Sequence, residues 1–217
     1  MSARRLTFLI FMLACCGVFC ALGTWQIKRL HWKENLIAEM EQAYASPAEK
    51  IITPDKAAAL KEGEYLRGLY TGLPEMKKAF ELSGQIDDGK PSKHLLVPFQ
   101  LTQELTILVD MGPEFTPPGK ANEPVTIQGV LRHAPLPNRF TPANDPDKNI
   151  WYRVDPQQLK ITGLKPLILM PEKTPWKDYP AHPPELRNQH LQYAIFWFTM
   201  AGLIFLLTLL SFRKKQD

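Results

Sequence analysis

Apolar residues are concentrated in two runs, one near each end of the chain. Leu6–Leu22 and Ala194–Leu210 each contain 17 residues without a charged side chain. As an α-helix, a run of this length reaches about 26 Å, close to the thickness of the hydrocarbon core of a bilayer. The pattern predicts two transmembrane helices, at residues 6–24 and 193–212, and it excludes a simple soluble protein.

Basic residues at the two tails predict how these helices are oriented. Arg4 and Arg5 precede the first run, and Arg213–Lys215 follow the second. Basic residues that flank a span favour the cytoplasmic side of the membrane. We therefore expect both tails, residues 1–5 and 213–217, in the cytoplasm and the central part outside it.

The central part, residues 25–192, carries no net charge. It contains 21 Lys and Arg against 21 Asp and Glu, so the net charge of +4 resides in the tails. A basic body that binds nucleic acid is thereby excluded. Lys28, Arg29 and Lys33 lie outside the cytoplasm in this topology, but long translocated loops largely escape the positive-inside rule.

A cleaved signal peptide is the main alternative for the first run, since a short basic segment precedes it. Met12-Leu13-Ala14-Cys15 loosely resembles a lipoprotein box, but Cys16–Leu22 stays apolar and a clean cleavage site is absent. A long Arg- and Ser-rich transit segment is also absent, which favours a bacterial inner membrane with a periplasmic central domain.

All three cysteines, Cys15, Cys16 and Cys20, lie in the first run. The central domain therefore has no disulfide, no thiolate metal site and no covalent haem attachment motif. In the span, cysteines act as small apolar packing residues.

The central part predicts a helical extension followed by short strands. Trp32, Leu36, Met40 and Tyr44 mark one face of a helix over residues 25–44, and Thr53 caps a short helix that runs to Lys61. Strands are predicted at Tyr65–Thr71, Phe80–Ile86, His94–Phe99, Leu105–Asp110, Val125–Leu131 and Ile150–Val154. The prolines from Pro171 to Pro184 predict an extended strap that returns the chain to the membrane. The fold class is membrane α+β: two transmembrane helices flank an exported, predominantly antiparallel sheet or small barrel.

Catalytic motifs are absent, which disfavours a hydrolytic enzyme. The sequence has no Gly-rich phosphate loop, no Gly-x-Ser-x-Gly and no paired metal-ligand spacing, and its five histidines are scattered singly. The carboxylate pairs Asp87-Asp88 and Asp145-Pro146-Asp147 lie among turn residues.

His190 is the one histidine in a distinctive setting. A helix entering the membrane places His190, Tyr193, Ala194 and Trp197 on one face. Imidazole is a good iron ligand, and an aromatic surface with small residues at the bilayer edge suits a porphyrin. The alternative is an interfacial histidine within an ordinary Tyr/Trp belt.

Several separated motifs resemble the surfeit locus protein 1 family. Leu22-Gly23-Thr24-Trp25-Gln26, with the basic stretch that follows it, is similar to the family signature at the outer end of the first span. Further similar motifs follow in order: Gly129–Arg132, Phe140–Asp145, Asn149–Asp155 and Asn188–Trp197. The resemblance covers nearly the whole chain.

This resemblance implies a membrane factor that assists the assembly of cytochrome c oxidase, without turnover chemistry of its own. It implies haem a as cargo, His190 as the ligand of the haem iron, and the large oxidase subunit and the haem a synthesis enzyme as partners. Tyr193, Trp197, Trp25 and Trp32 are expected to line the haem, although tryptophan at a membrane edge is ordinarily an anchor. The central block offers candidate partner contacts: Asn144, Asp145, Trp151, Tyr152 and Asp155.

One loop departs from the family pattern. Residues 110–115 read Asp-Met-Gly-Pro-Glu-Phe, where the family commonly has Asn-Arg-Gly-Trp-Val-Pro. If this loop touches the oxidase, partner recognition differs here, whereas the preceding strand is retained.

Two other functions remain open at this stage. The first is a scaffold that binds no haem and holds oxidase subunits through its exported domain. The second, an enzyme that makes haem a, is disfavoured because one histidine and two spans offer little of the constellation required. His31 is a possible second ligand, but its basic surroundings favour a lipid headgroup contact. A carrier must also release its cargo, which favours a single axial ligand.

Overall fold

The computed structural model describes residues 3–48, 50–87, 89–113, 115–116, 123–180 and 188–213. Asp88 of the predicted turn, Glu114 of the divergent loop, residues 181–187 of the predicted strap, and the tail residues 1–2 and 214–217 lie outside this description. The chain divides into two compact units, Met1–Ala38 with Pro184–Asp217, and Glu39–Pro183.

The first unit contains two long apolar helices, α1 (Ala3–Ala45) and α4 (His190–Arg213). Both are long and apolar enough to cross a membrane. α1 continues without a break into the second unit, so the predicted span and its helical extension form one helix. Within the apolar segments most side chains are exposed, as expected for helices that face lipid.

The second unit is a six-stranded, mostly antiparallel sheet, which confirms the predicted fold class. Its strands are β1 (Leu66–Pro74), β2 (Phe80–Asp87), β3 (Lys90–Thr102), β4 (Leu105–Asp110), β5 (Val125–His133) and β6 (Leu164–Lys173). Their order is β1-β5-β6-β4-β3-β2, with β4 and β6 parallel. The short helices are α2 (Pro54–Ala58) and α3 (Pro156–Leu159), and single 3₁₀ turns lie at Met76–Lys78 and Pro146–Lys148.

Five of the strands close into a small barrel. The end of β1 also pairs with β3, through Leu73 opposite Gln100 and Pro74 opposite Phe99. Gly72 makes this seam possible, because a Cβ there would lie 2.5 Å from the carbonyl oxygen of Gln100. The ring therefore runs β1-β5-β6-β4-β3, and β2 lies beyond it, paired with β3 and bridged at Leu82 to Trp151.

Alternating strand residues fill two apolar clusters on opposite faces of this sheet. One cluster includes Tyr70, Phe99, Ile107, Leu131 and Leu169, all fully buried. The other includes Leu96, Leu108 and Ile168, which occupy the intervening strand positions. The period of two that predicted the strands is thus the period that separates the two faces.

Two sequence predictions for the chain after β5 were wrong: a strand at Ile150–Val154 and an extended strap from Pro171 onward. Ile150–Val154 forms no strand but only isolated bridges, since Asp145 pairs with Ile150 and Leu82 with Trp151. The predicted strap does not begin at Pro171, because Pro171 lies inside β6. Pro171 pairs with Gly129 next to a register shift of β5 and β6, a position where a missing backbone donor is tolerated.

The C-terminal end of α1 is bound to the barrel by one arginine. The Arg67 guanidinium on β1 donates to both carboxylate oxygens of Glu172 at 2.8 and 2.9 Å, and to the carbonyl oxygens of Tyr44 and Ser46. Gln128 donates to the same carboxylate at 2.8 Å. Glu172 is 3% exposed. The terminal carbonyls of α1, which have no partners within the helix, are thus satisfied by a buried ion pair.

Candidate functional site

The predicted site residues near the membrane lie where α1 and α4 pack against each other. The Sγ of Cys16 donates to the carbonyl oxygen of Ala201, and the ring of Phe19 stacks on Trp197 at 5.5 Å. Cys16 of α1 contacts Ala201 of α4, whereas Phe19, further along α1, contacts Trp197, which comes earlier in α4. The two helices are therefore antiparallel. The small residues Gly23, Ala194 and Ala201 are buried in this contact, which lets the backbones approach.

His190, the first residue of α4, is hydrogen-bonded to Gln26 of α1. Its Nδ1 lies 2.8 Å from Oε1 of Gln26, and Gln26 is 9% exposed. An amide oxygen only accepts hydrogen bonds, so Nδ1 carries the proton. In the neutral ring the lone pair is then on Nε2, the nitrogen on the opposite side of the imidazole from Gln26.

The predicted face of α4 is only partly open. Ala194 is 1% exposed and Trp197 is stacked on Phe19, so α1 covers the middle of this face. Tyr193 is 52% exposed. A flat ligand therefore cannot lie between the helices, but it has access to their side.

The predicted aromatic residues of α1 are exposed on that side. Trp25 is 55% and Trp32 is 49% exposed, and the guanidinium of Arg29 lies 3.8 Å from the ring centre of Trp32. A helix advances by about 100° per residue. Counted from Gln26 and His190, this rotation places Trp25 and Tyr193 on the same side of the antiparallel pair. His190 lies at the seam between them.

The donor set suits a group held by one axial ligand. Among the residues that the structure describes, no three His, Cys, Asp or Glu side chains come close enough to hold a bare metal ion. His31, the other candidate ligand, is hydrogen-bonded to Glu34 at 3.2 Å, and its side chain is 68% exposed. A single imidazole beside aromatic surface fits a porphyrin iron and does not fit a mononuclear metal site.

The candidate partner residues of the central block make mainly internal contacts. Asn144 accepts from the backbone amides of Tyr152 and Arg153 and donates to Gln158 and to the carbonyl of Arg153. Asp145 and Asp155 cap the Pro146–Lys148 turn and α3. Trp151 is 6% exposed and packs on Phe80, whereas Tyr152 is half-buried. These contacts give the five side chains roles within the loop, whereas residues 146–150 of the same loop are exposed.

Sequence reasoning missed a second exposed apolar feature in the loop after β5. Leu136 is 71% and Phe140 is 77% exposed, and the guanidinium of Arg139 lies 4.5 Å from the ring centre of Phe140. Hydrogen bonds within Asn138–Thr141 fix the turn that presents Phe140. The available signal was two large apolar residues among Pro135, Pro137 and Pro142, a context that builds no core.

A further polar cluster lies on the sheet, around His94 of β3. Its Nδ1 is 2.9 Å from the carboxylate of Asp110, and its Nε2 is 2.8 Å from Asp87. Burial lowers the pKa of His94, but the hydrogen bonds and charges of Asp110 and Asp87 outweigh it and raise this pKa to about 9. A hydrogen bond from the side chain of Ser92 lowers the pKa of Asp87, and the hydrogen bond and charge of His94 lower it further. Both ring nitrogens donate, so this histidine is a structural cation and holds no lone pair for a metal.

A groove of about 680 Å³ lies between the end of α1 and α2. Its lining includes Glu39, Glu62 and Glu64 against Lys56, and none of the predicted site residues. Its acidic, open lining does not suit a lipophilic ligand.

Comparisons with known proteins agree over most of the chain. The model of the SURF1 family matches residues 13–202. The Homo sapiens protein named surfeit locus protein 1 is 31% identical over 213 residues, which cover 83% of this chain and 69% of that protein. The Takifugu rubripes protein of the same name is 28% identical over 225 residues, covering 89% and 92%. A SURF1-like protein of Monosiga brevicollis is 30% identical over 219 residues, covering 89% and 83%.

Proposed function

The chain belongs to the SURF1 family of cytochrome c oxidase assembly factors, and from this premise we propose that it carries haem a at the membrane for the large oxidase subunit. The family is one of assembly factors and not of catalysts. Haem a is therefore cargo, and release to the acceptor is as important as binding.

The observation that carries the proposal is the His190–Gln26 pair. The pair holds the imidazole by Nδ1 and leaves Nε2, on the far side of the ring from Gln26, for a ligand. Tyr193 and Trp25 add aromatic surface on the same side, and Lys28 and Arg29 add positive charge within one turn of Gln26. Such a surface matches a flat, lipophilic ligand that carries carboxylates at one edge.

The proposed setting is a bacterial inner membrane. Both termini are cytoplasmic and the barrel is periplasmic, which places His190 at the periplasmic surface of the bilayer. The lipid bilayer, the large oxidase subunit and the haem a synthesis enzyme are the partners in this proposal.

The experiment is haem analysis of the detergent-purified full chain from a host that makes haem a. We expect a haem a absorbance spectrum and pyridine haemochrome for the wild type, and at least a tenfold lower haem content for His190→Ala. His31→Ala is the matched control and should retain haem. Equal haem in His190→Ala and the wild type, or none in either folded protein, contradicts the proposal.

The exposed loop favours a second function, that of a scaffold for oxidase subunits. Leu136 and Phe140 expose most of their apolar side chains, and Phe140 lies on the hydrogen-bonded turn Asn138–Thr141. A protein partner is the proposed occupant of this surface, since Arg139 beside two apolar side chains is typical of interface hot spots.

Oxidase assembly in cells distinguishes the two functions. If scaffolding dominates, Leu136→Ser with Phe140→Ser reduces assembled oxidase while His190→Ala does not. Ile86→Ser, which changes another exposed apolar residue, on β2 of the same sheet, is the control. Substitution of Asn144 is unsuitable for this test, because it removes hydrogen bonds that hold the loop itself.

A further inference from the structure

Gln26 is a buried amide in an otherwise apolar helix contact. It is 9% exposed, and its neighbours on this face of α1 include Phe19, Gly23 and Leu30. Burial of an amide in apolar surroundings costs free energy unless the amide is hydrogen-bonded. Its hydrogen bond is the 2.8 Å contact with Nδ1 of His190. The amide oxygen of Gln26 thus meets the imidazole ring of His190 across the contact of the two helices.

We propose that Gln26 is a positioning residue that fixes His190 as the Nδ1–H tautomer and thereby aims Nε2 at the iron of the bound haem. This inference rests on the proposed function. A ring held at Nδ1 has lost its rotation about χ2, because a flipped ring would place a carbon atom against the amide oxygen. Free neutral imidazole in histidine favours the other tautomer, so the contact changes which nitrogen is available.

The identity of the acceptor also sets the strength of the iron ligand. A carboxylate that accepts from Nδ1 pulls the proton and makes the imidazole a stronger, more anionic donor. An amide oxygen is neutral and leaves the imidazole a moderate donor. A carrier that must release its haem requires this weaker ligation, so glutamine suits the position better than glutamate.

The first test uses the haem-free protein. ¹⁵N-histidine-labelled full chain in detergent micelles is examined by NMR, with His190 assigned from the His190→Ala spectrum. We expect the wild type to show a protonated Nδ1 and an unprotonated Nε2. Gln26→Leu should shift His190 to the Nε2–H tautomer, whereas Gln192→Leu, an exposed glutamine two residues from His190, should leave it unchanged. Retention of the Nδ1–H signal in Gln26→Leu overturns the proposal.

The second test uses protein loaded with haem a. We expect Gln26→Leu to bind haem about 10- to 100-fold more weakly, the usual effect of removing a hydrogen-bond partner of a metal ligand. Gln26→Glu should bind ferric haem more tightly than the wild type and lower the midpoint potential of the iron. An unchanged affinity in Gln26→Leu and an unchanged potential in Gln26→Glu contradict the positioning role.

The two tests separate this inference from the function on which it rests. If the wild type binds no haem a but the tautomer responds to Gln26→Leu, the carrier function fails, and with it the role toward iron. If the wild type binds haem a and both Gln26 variants behave like it, the carrier function stands and the positioning role fails. A fold check by circular dichroism accompanies each variant, and Gln26→Asn serves where Gln26→Leu does not fold.

Discussion

His94 is a positive charge held inside the sheet, because each of its ring nitrogens faces a carboxylate. Asp110 on β4 and Asp87 on β2 thus bind the same residue of β3 from its two sides. Asp110 also accepts a hydrogen bond of 3.0 Å from the backbone amide of Gly112, which lies in the divergent loop. His94 and its two carboxylates therefore link β2, the barrel and this loop.

The raised pKa of His94 predicts how stability depends on pH. The folded state binds the proton more tightly than the unfolded chain, whose value is near 6.5, and releases it near 9. The stabilisation that protonated His94 gives to the folded state is fully present below pH 6.5 and is lost as the pH rises through about 9. After allowance for partial solvent screening, we expect the free energy of unfolding to fall by about 2 kcal/mol across this window.

Urea unfolding of the full chain in detergent, followed by tryptophan fluorescence at several pH values, measures this loss. His94→Gln should abolish the pH dependence, and His31→Gln should preserve it, since His31 is an exposed histidine outside the sheet. A wild-type profile that is flat from pH 6.5 to 9 contradicts the ion cluster.

At the scale of elements, the end of α1 depends on the Arg67–Glu172 pair. Arg67→Met leaves the carboxylate of Glu172 buried without its cation and frees the last carbonyls of α1. We expect a loss of about 3–5 kcal/mol in the free energy of unfolding, by the same urea measurement. Hydrogen exchange should rise at the end of α1, around Tyr44.

The double variant Arg67→Met with Glu172→Leu tests the reason for this loss. Because it removes the orphaned charge as well, it should be less destabilised than the single variant. Lys78→Met, which removes an exposed pair with Glu75, is the control and should change stability little. A double variant as unstable as the sum of the two single variants contradicts the explanation.

Packing of α1 on α4 depends on the absence of a side chain at residue 23. A Cβ on Gly23 would lie 2.8 Å from the ring of Phe198, whereas one on Gly17 meets nothing within 4 Å. Phe198 is 42% exposed and has room to turn, so Gly23→Ala should change the helix packing little. Gly23→Leu should separate the two helices, because its side chain is too large for this space.

Disulfide cross-linking measures this separation. Cys16 and an introduced Ala201→Cys, with Cys15 and Cys20 replaced by serine, should cross-link readily in the membrane, because Cys16 Sγ lies 3.7 Å from the carbonyl oxygen of Ala201. Gly23→Leu should reduce the yield several-fold and Gly17→Leu should not. Equal yields in the two variants contradict the packing.

For the whole molecule, the decisive prediction is the membrane topology. Basic residues that flank each apolar run predict that both termini lie in the cytoplasm. Green fluorescent protein fused to the C-terminus should therefore fluoresce, and alkaline phosphatase fused there should be inactive. Alkaline phosphatase inserted after Ser46 should be active. The reverse pattern contradicts the orientation.

Secondary structure was predictable wherever the local pattern had one interpretation. Leu105–Asp110 is β4 with the predicted bounds, and Thr53 caps α2 through a hydrogen bond from Lys56. β6 was missed because its apolar stretch at Leu164–Lys173 contains two prolines and follows a long irregular segment. Ile150–Val154 has strand-like composition, but Asn144 binds its backbone amides and prevents ladder pairing.

The sequence by itself determined the two apolar helices, the sheet-forming alternation and the family, because each depends on local periodicity or on ordered motifs. It also pointed to His190. Only the tertiary structure decided that Gln26 is its partner, that Arg67 holds the end of α1, and that Asn144 and Trp151 serve the loop. The contact of Gln26 with His190 joins residues 164 positions apart, and that of Asn144 with Arg153 joins residues 9 positions apart. No local pattern of the sequence specifies which donor meets which distant acceptor.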